Sequence, residues 1–422
     1  MQNALVVADD LTGAIDTGHG FAARGRGVRV RLRGERRDAP GQAVERDVLA
    51  VDTDSREAAP AVAAEAVTRA IDAYPADLVY KKVDSTLRGN VVSEVDAAVA
   101  ATDADLAVVA PAFPATGRTT EDGTHFVDGA PLAEAGYGVD ESDLPTFFAP
   151  SRYVVEHLSL DTVASGAEAI HDALSAFPGD QPVLAVCDAT TDDHLAAVAS
   201  GAAAVADEGG ADDNQGNRDV LFVGSGGLAK HVAVPGEARP TTVGAVGRPK
   251  TLGVVGSTNE RTLVQLAAIP DEFVVKLDPA AAARDPEETG QRGAVRLKRL
   301  FERSDRAVVT AATSVADVER ARTVAGETGA DAGERVATAL AAAASGAVAA
   351  SQPGGLVLTG GAVARAVLTE LEAPELALTG RAVADGVPES VVARGPAQGM
   401  RVVTKAGGFG SERTILDCLD AV

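Results

Sequence analysis

The densest chemistry in this chain lies in Lys81-Lys82-Val83-Asp84-Ser85-Thr86-Leu87-Arg88-Gly89-Asn90. Two lysines, an arginine, two hydroxyls and an aspartate fall within eight residues there. That set suits a small carboxylate or phosphate held by charge-assisted hydrogen bonds. The plainer reading is a solvated turn with Lys–Asp surface pairs. Lysine usage argues against it, because the chain holds only seven lysines, and Lys81, Lys82, Lys230 and Lys405 each stand beside Gly, Ser or Thr clusters. A second group is Asp9-Asp10-Leu11-Thr12-Gly13-Ala14, followed by Asp16-Thr17-Gly18. Adjacent carboxylates at a strand end can hold a metal or accept a proton from a substrate hydroxyl. An ordinary helix N-cap needs one such residue, Asp10 or Thr12, and not the whole group. A third group runs from Pro111-Ala112-Phe113-Pro114 through Arg118-Thr119-Thr120 to His125 and Asp128-Gly129. Its prolines rigidify a loop in which Arg118, Thr119 and His125 could line one pocket, although a lone histidine is as readily structural.

Glycine clusters carry the rest of the signal: Gly224-Ser225-Gly226-Gly227-Leu228-Ala229-Lys230, Gly256-Ser257-Thr258-Asn259, Thr359-Gly360-Gly361 and Lys405-Ala406-Gly407-Gly408-Phe409-Gly410. Backbone N–H groups in such turns, with a helix N-terminus behind, cradle anions. Any one cluster could be a mere tight turn; several in the C-terminal half suit a phosphate chain, which needs donors from different loops. The P-loop pattern is absent, because no lysine is preceded by glycine. The Asp-x-Asp-x-Thr of a haloacid-dehalogenase-type phosphatase is not matched either, since Asp9 and Asp10 are adjacent. Gly224-x-Gly226-x-x-Ala229 fits a relaxed dinucleotide fingerprint, but Pro-Gly-rich sequence follows it, so a nicotinamide-dependent oxidoreductase is kept only as an alternative.

To position these groups the chain must place them at strand ends. Short apolar runs alternate with Ala-rich helical stretches, the pattern of α/β architecture with largely parallel sheets covered by helices. The predicted strands are Ala4–Ala8, Val28–Leu32, Val48–Asp52, Leu78–Val83, Leu106–Ala110, Val183–Cys187 and Leu221–Gly224, then Thr251–Gly256, Phe273–Leu277, Ala307–Ala311, Leu356–Thr359 and Arg401–Lys405. Predicted helices include Gly13–Arg24, Glu57–Tyr74 and Asp193–Val205. The Pro- and Gly-rich stretch Pro235–Pro249 reads as a linker between two domains, 1–240 and 241–422. Asp207–Asp219 and Asp278–Gln291 read as solvated loops. Open parallel sheets bind ligands at the carboxyl edges of their strands, where the motifs above fall.

Composition narrows the function classes. The 422 residues are 46% hydrophobic and 23% charged, ordinary globular proportions. Asp plus Glu number 61 against 38 Lys plus Arg, a net charge of −23 spread along the whole chain. That excess, with 3% aromatics, suggests a halophilic protein whose self-repulsion is screened by salt. Such a surface repels phosphate backbones and anionic lipid, which speaks against nucleic-acid and membrane partners. The two cysteines, Cys187 and Cys418, exclude a disulfide scaffold, and the N-terminal sequence has no leader pattern, so a cytoplasmic protein is expected. A homo-oligomer is compatible with the sequence.

The stretches ADDLTGAIDTG, YKKVDSTLRGN, APAFPATGRTTEDGTHFVDGAPL, GSGGLAK, GSTNERT, LTGG and VTKAGGFG together resemble the four-carbon acid sugar kinase family, which includes 3-oxo-tetronate, D-threonate and D-erythronate kinases. The resemblance spans nearly the whole chain. It implies an N-terminal acid-sugar domain, a C-terminal ATP domain, an active site in the cleft between them, and phosphorylation of a terminal (4-) hydroxyl with Mg2+ and ATP. On the matching positions, Ser257, Gly360, Gly361, Ala362, Val363 and Gly407 resemble the family's nucleotide-binding loops. Ala362 and Val363 replace the usual acid and threonine, leaving backbone donors only. The small-molecule partners implied are a sugar acid, gripped by Asp9, Lys82, Ser85, Arg88, Arg118, Thr119 and His125, and ATP. Asp10 or Asp84 would orient the attacking hydroxyl or take its proton. A non-catalytic sugar-acid sensor, suggested by Ala362-Val363, is the alternative from another class.

Overall fold

The computed structural model describes residues 2–32, 47–207, 218–240, 244, 245, 247, 249–326 and 329–422. The expected loop Asp207–Asp219 and the linker Pro235–Pro249 lie partly outside the described residues. The chain divides into two compact units: Met1–Val28 with Arg36–Arg239, and Arg29–Glu35 with Pro240–Val422.

Strands of the N-terminal half are β1 (Gln2–Ala8), β2 (Val28–Arg31), β3 (Val48–Asp52), β4 (Ala76–Lys82), β5 (Leu106–Ala110), β6 (Arg118–Glu121), β7 (Thr124–Val127), β8 (Ala130–Pro131), β9 (Val154–Leu158), β10 (Val183–Cys187) and β11 (Val220–Gly224). In the first unit they run β3-β1-β4-β11-β5-β10-β9, all parallel. Both faces of such a sheet are covered, so its strands are continuous apolar runs without in–out alternation. Ala4 to Ala8, Leu106 to Ala110 and Val183 to Cys187 are accordingly fully buried. The helices Leu11–Ala22, Pro60–Ala73, Val91–Thr102 and Asp192–Asp207 alternate with these strands, and Val67, Val95 and Ala98 pack with Leu5, Leu49, Val109 and Leu184 in the core. Because the strands are parallel, the residues following β1, β3, β4, β5 and β11 all emerge at one carboxyl edge.

The second unit adds β12 (Thr251–Val255), β13 (Val274–Lys276), β14 (Arg306–Thr310), β15 (Gly355–Thr359), β16 (Glu375–Ala384), β17 (Val387–Val392) and β18 (Arg401–Lys405). Its order is β13-β14-β12-β15-β18, all parallel, continued by antiparallel β17 and β16. Residues Arg29, Val30 and Arg31 of β2 extend this unit, antiparallel to β16, and there the buried pair Arg31–Glu375 closes at 2.8 Å. Adjacency of β12, β15 and β18 brings three of the glycine clusters side by side.

Every predicted strand forms, and Val48–Asp52, Leu106–Ala110, Val183–Cys187 and Arg401–Lys405 have the expected bounds. Three departures have physical reasons. The loop expected after β5 is a 3-stranded antiparallel sheet, β6-β7-β8, whose hairpins turn at Asp122-Gly123 (φ 49° and 77°) and Asp128-Gly129 (φ 52° and 84°). Paired positive φ values are what Asp-Gly hairpin turns supply. The same dipeptide, Asp385-Gly386, joins the unpredicted pair β16 and β17. Asp278–Gln291, read as a solvated loop, is instead helical: Asp278 caps Pro279–Arg284 and Asp285 caps Pro286–Phe301. Each Asp-Pro pair is an N-cap followed by proline in the first turn, where a missing N–H costs nothing.

Candidate active site

At the carboxyl edge of the first unit the organising residue is Arg56, which sequence reasoning passed over. Its guanidinium meets Asp9 with two hydrogen bonds, Nε to Oδ2 at 2.7 Å and Nη2 to Oδ1 at 2.9 Å, and reaches Asp10 Oδ2 through Nη1 at 2.8 Å. Asp84 Oδ1 lies 3.8 Å from Nη2. One planar fork therefore gathers carboxylates from the ends of β1 and β4, which Lys could not do. Asn90 holds the backbone in place by donating to the Ser55, Arg56 and Ala58 carbonyls. Gly89 permits the close approach: its φ is +91°, and a Cβ there would sit 3.2 Å from both Asp9 Oδ2 and Arg56 Cγ. The burial of Arg56 favours its neutral form, but the carboxylates of Asp10, Asp9 and Asp84 outweigh this and raise its pKa well above the ordinary value. Burial likewise pushes the Asp9 carboxyl up, and Arg56, with Lys81 and Lys82 behind it, brings it below the usual range.

The segment from Lys81 to Asn90 separates into structural and free parts. Lys81 is fully buried and ion-paired to Glu94 at 2.9 Å, while Glu94 also accepts from Ser55. Lys81 therefore fastens the helix Val91–Thr102 to the sheet. Lys82 points its ammonium towards the first turn of the helix Leu11–Ala22, 3.1 Å from where a Cβ on Gly13 would stand, and makes no hydrogen bond or ion pair among the described residues. Asp84 is the opposite case. It accepts from Arg88 Nε at 2.7 Å, Arg88 Nη2 at 3.1 Å and Thr86 Oγ1, and although burial opposes ionisation, Arg56, Arg88 and Lys82 hold its carboxyl far below the usual range. A carboxylate so saturated is a poor proton acceptor. Asp10 performs the capping role that was its plainer alternative, accepting from Gly13 N at 2.7 Å, besides pairing with Arg56.

His125 is also placed differently from the expectation of a substrate ligand. It is fully buried, with Nδ1 on Thr120 Oγ1 at 2.9 Å and Nε2 on the Ser85 carbonyl at 2.8 Å. Burial lowers its pKa, so the neutral ring donates to Ser85 O and shapes the loop from within. Arg118 donates to the Thr116 carbonyl and to Tyr137 OH at 3.2 Å, and the Arg88 guanidinium stands 5.6 Å from the Tyr137 ring centroid. Tyr137, not expected from sequence, thus couples Arg88 to Arg118. Thr119 is half-buried on β6 opposite Phe126.

In the second unit the loops after β12, β15 and β18 meet. A Cβ on Gly407 would collide with Ser257 Oγ and lie 2.9 Å from Asn259 Cβ; one on Gly360, whose φ is +87°, would lie 3.2 Å from Ser257 N. Thr262 Oγ1 ties the loops by donating to Gly407 O at 2.8 Å. Gly360 caps the helix Gly361–Glu370 without a side-chain hydrogen bond, so the N–H groups of its first turn have no partner within the helix. Ala362 is exposed, whereas Val363 is buried against Gly256 and lines a cavity of about 450 Å3 together with Ser257, Ala311, Val318, Val336 and Leu340. Thr258, Asp317, Arg322 and Asp331 also border it, so the lining is mixed.

A family model described as a sugar-binding N-terminal domain matches residues 4–232, and one described as a nucleotide-binding C-terminal domain matches residues 252–415. A D-threonate kinase of Cupriavidus necator is 33% identical over 97% of this chain and 96% of its own length. The chain belongs to the four-carbon acid sugar kinases. A 3-oxo-tetronate kinase of Methylobacterium radiotolerans is 31% identical over 78% of this chain and 76% of its own length. A solved Salmonella typhimurium LT2 structure shares the fold at TM-score 0.78 and 22% identity, covering 99% of this chain and 98% of that one. A Haemophilus influenzae structure does so at TM-score 0.70 and 21% identity, covering 99% of each chain.

The kinase is thus a phosphotransferase acting on an alcohol, and its relatives imply ATP as the phosphate donor. The sensor and oxidoreductase alternatives are not retained. The relaxed fingerprint at Gly224 opens a helix of one turn, Gly226–Ala229, too short to serve a dinucleotide. Among the described residues no three His, Cys, Asp or Glu side chains are grouped to hold a metal, and the glycine loops carry no carboxylate. No helix among the described residues is long and apolar enough to cross a membrane.

Proposed function

We propose that this kinase transfers the γ-phosphoryl group of ATP to the terminal (4-) hydroxyl of a four-carbon sugar acid, with D-threonate the first candidate among threonate, erythronate and 3-oxo-tetronate. The observation that carries the reading is the Arg56–Asp9–Asp10–Asp84–Arg88 network beside the unpaired Lys82, in a chain similar over nearly its full length to D-threonate kinases. Arg88 takes the carboxylate, and Lys82, Ser85, Arg118 and Thr119 serve the hydroxyl side. Asp9 and Asp10 act through Arg56, which they hold in place. Ser257, Gly360, Gly361, Ala362, Val363 and Gly407 receive the nucleotide through backbone donors, and the domain roles divide at 1–240 and 241–422. Phosphoryl transfer asks mainly for positioning and charge neutralisation, which these groups supply. Mg2+ would be carried by the nucleotide's own phosphates and water, as its reluctance to dehydrate allows.

The test is ADP release, coupled to a spectrophotometric readout, over a panel of four-carbon acids and their neutral alcohol counterparts. Turnover is expected with an acid and not with its neutral counterpart; equal turnover of both would remove the carboxylate site. A cytoplasmic setting accords with two buried free thiols, Cys187 and Cys418. The net charge of −23 supports best folding and activity at molar salt. Full activity and an unchanged melting temperature in dilute buffer would sink that last reading.

A further inference from the structure

The proposed reaction needs a proton acceptor, and the expected ones are occupied: Asp84 accepts from Arg88 and Thr86, Asp10 caps a helix and pairs with Arg56, and Asp9 is clamped by the same arginine. The helix Leu11–Ala22 carries another carboxylate on the same face. Asp10, Gly13, Asp16 and Gly20 recur at helical spacing, so they line one wall, with the glycines leaving it open. Lys82 faces this wall at Gly13, and Lys230 faces it at Gly20, where a Cβ would lie 3.6 Å from Lys230 Cγ. Between them, Asp16 Oδ2 stands 2.6 Å from the Cβ position of Gly226, itself 3.2 Å from Phe113 Cε1, and Lys230 Nζ is 4.7 Å from the Phe113 ring centroid. The Asp16 carboxylate makes no hydrogen bond or ion pair among the described residues. It is half-buried, next to Lys82, whose ammonium likewise has no partner among the described residues.

We propose that Asp16 is the catalytic proton acceptor of the kinase, taking the proton of the attacking hydroxyl while Lys82 neutralises charge on the reacting oxygens; this rests on the kinase reading above. The O–H bond of the terminal hydroxyl breaks and its proton passes to an Asp16 carboxylate oxygen. The freed oxygen bonds to the γ-phosphorus as the bond from that phosphorus to the bridging oxygen breaks, and the electron pair leaves with ADP. The proton on Asp16 passes to solvent after product departs. Basicity points the same way: burial raises the Asp16 pKa, with Asp10 adding to the rise and Lys82 and Lys230 restraining it. Two further titratable groups stand nearby. Tyr80 donates its hydroxyl to Ser225 O, and the His19 pKa is lowered by burial and by Lys230.

The experiment compares wild type, Asp16→Asn and Asp16→Glu in the full chain by steady-state kinetics across pH, calorimetric sugar-acid binding and thermal melting. Asp16→Asn is expected to lower kcat by at least about a hundredfold, the ordinary scale of general-base catalysis. Its sugar-acid Kd stays within about threefold of wild type, and the acid limb of its pH–rate profile is lost. Asp16→Glu, which keeps the carboxylate on a longer stem, is expected to retain that limb with kcat lowered by about tenfold. An active wild type beside an Asp16→Asn chain with unchanged kcat and acid limb overturns the proposal alone, as does a loss confined to sugar-acid affinity. If Asp16→Asn does not fold, an Asp16→Glu chain with no acid limb overturns it. A wild-type chain that phosphorylates no four-carbon acid overturns the kinase reading and this proposal together.

Discussion

The two units put opposite kinds of chemistry at the same place in the same sort of sheet. Strand ends of the first unit carry side chains: Asp9 and Asp10 after β1, Arg56 after β3 and Asp84 after β4, bound into a network around one guanidinium, with Lys82 at the end of β4 beside it. Strand ends of the second unit carry almost none, and the loops at Ser257, Gly360 and Gly407 approach so closely that a Cβ on either glycine would press on Ser257. A small polyhydroxy acid offers few atoms, so selectivity must come from directed side-chain charge. A nucleotide offers a long phosphate chain and a flat base, which backbone amides and an adjoining cavity can serve. Parallel α/β sheets accommodate both solutions because the edge is built by the fold and the loops are free to differ.

The largest break in that contrast is expected from Arg56→Ala. Three carboxylates then share a partly buried space without their common partner, a change on the scale of roughly 3–5 kcal/mol for a broken buried pair. kcat/KM for the sugar acid is expected to fall by more than about a hundredfold and Tm to drop, while calorimetric ATP affinity stays near wild type. Loss of ATP binding instead would show that the two sites are not chemically separate. Gly407→Val makes the converse test. Its side chain would drive into Ser257 and Asn259, and an overpacking cost of about 2 kcal/mol predicts roughly thirtyfold weaker nucleotide binding with sugar-acid binding intact.

Arg88→Ala is expected to be milder, because that side chain is 44% exposed. At least a tenfold loss in kcat/KM, roughly 1.4 kcal/mol, is expected with ATP affinity unchanged, and Arg88→Lys should recover only part of it. The smallest effect concerns Lys405, whose ammonium donates to the carbonyls of Ala406 and Gly407 and so holds the last glycine loop. Burial, with Arg261 adding to it, lowers its pKa to about 8. The charged form that grips the loop is complete below that value and lost as pH rises through it. Nucleotide affinity is therefore expected to weaken by about threefold between pH 7 and 9, roughly 0.7 kcal/mol, and the dependence should vanish in Lys405→Met. A flat profile in the wild type would assign the loop's shape to its backbone alone.

The sequence alone determined a good deal. Parallel strands buried on both faces must be unbroken apolar runs, so β1, β3, β5 and β10 were legible, and with them the strand ends where Asp9, Lys82 and the glycine clusters stand. The antiparallel pieces were equally encoded, in Asp122-Gly123, Asp128-Gly129 and Asp385-Gly386, and reading those turns would have recovered them. What residue types and spacing could not assign was partnership. Arg56 is one arginine among many until β3 and β1 are neighbours. Lys81 and Lys82 are adjacent and chemically identical, yet one is consumed by Glu94 and the other meets no partner among the described residues. The same holds for the carboxylates: Asp84 is saturated, Asp10 caps and pairs, and Asp16 is unengaged, a division set by which donors lie across the sheet. Charge and hydrogen-bonding capacity belong to the residue, but whether they are already spent depends on contacts distant in sequence, and only the tertiary structure makes those.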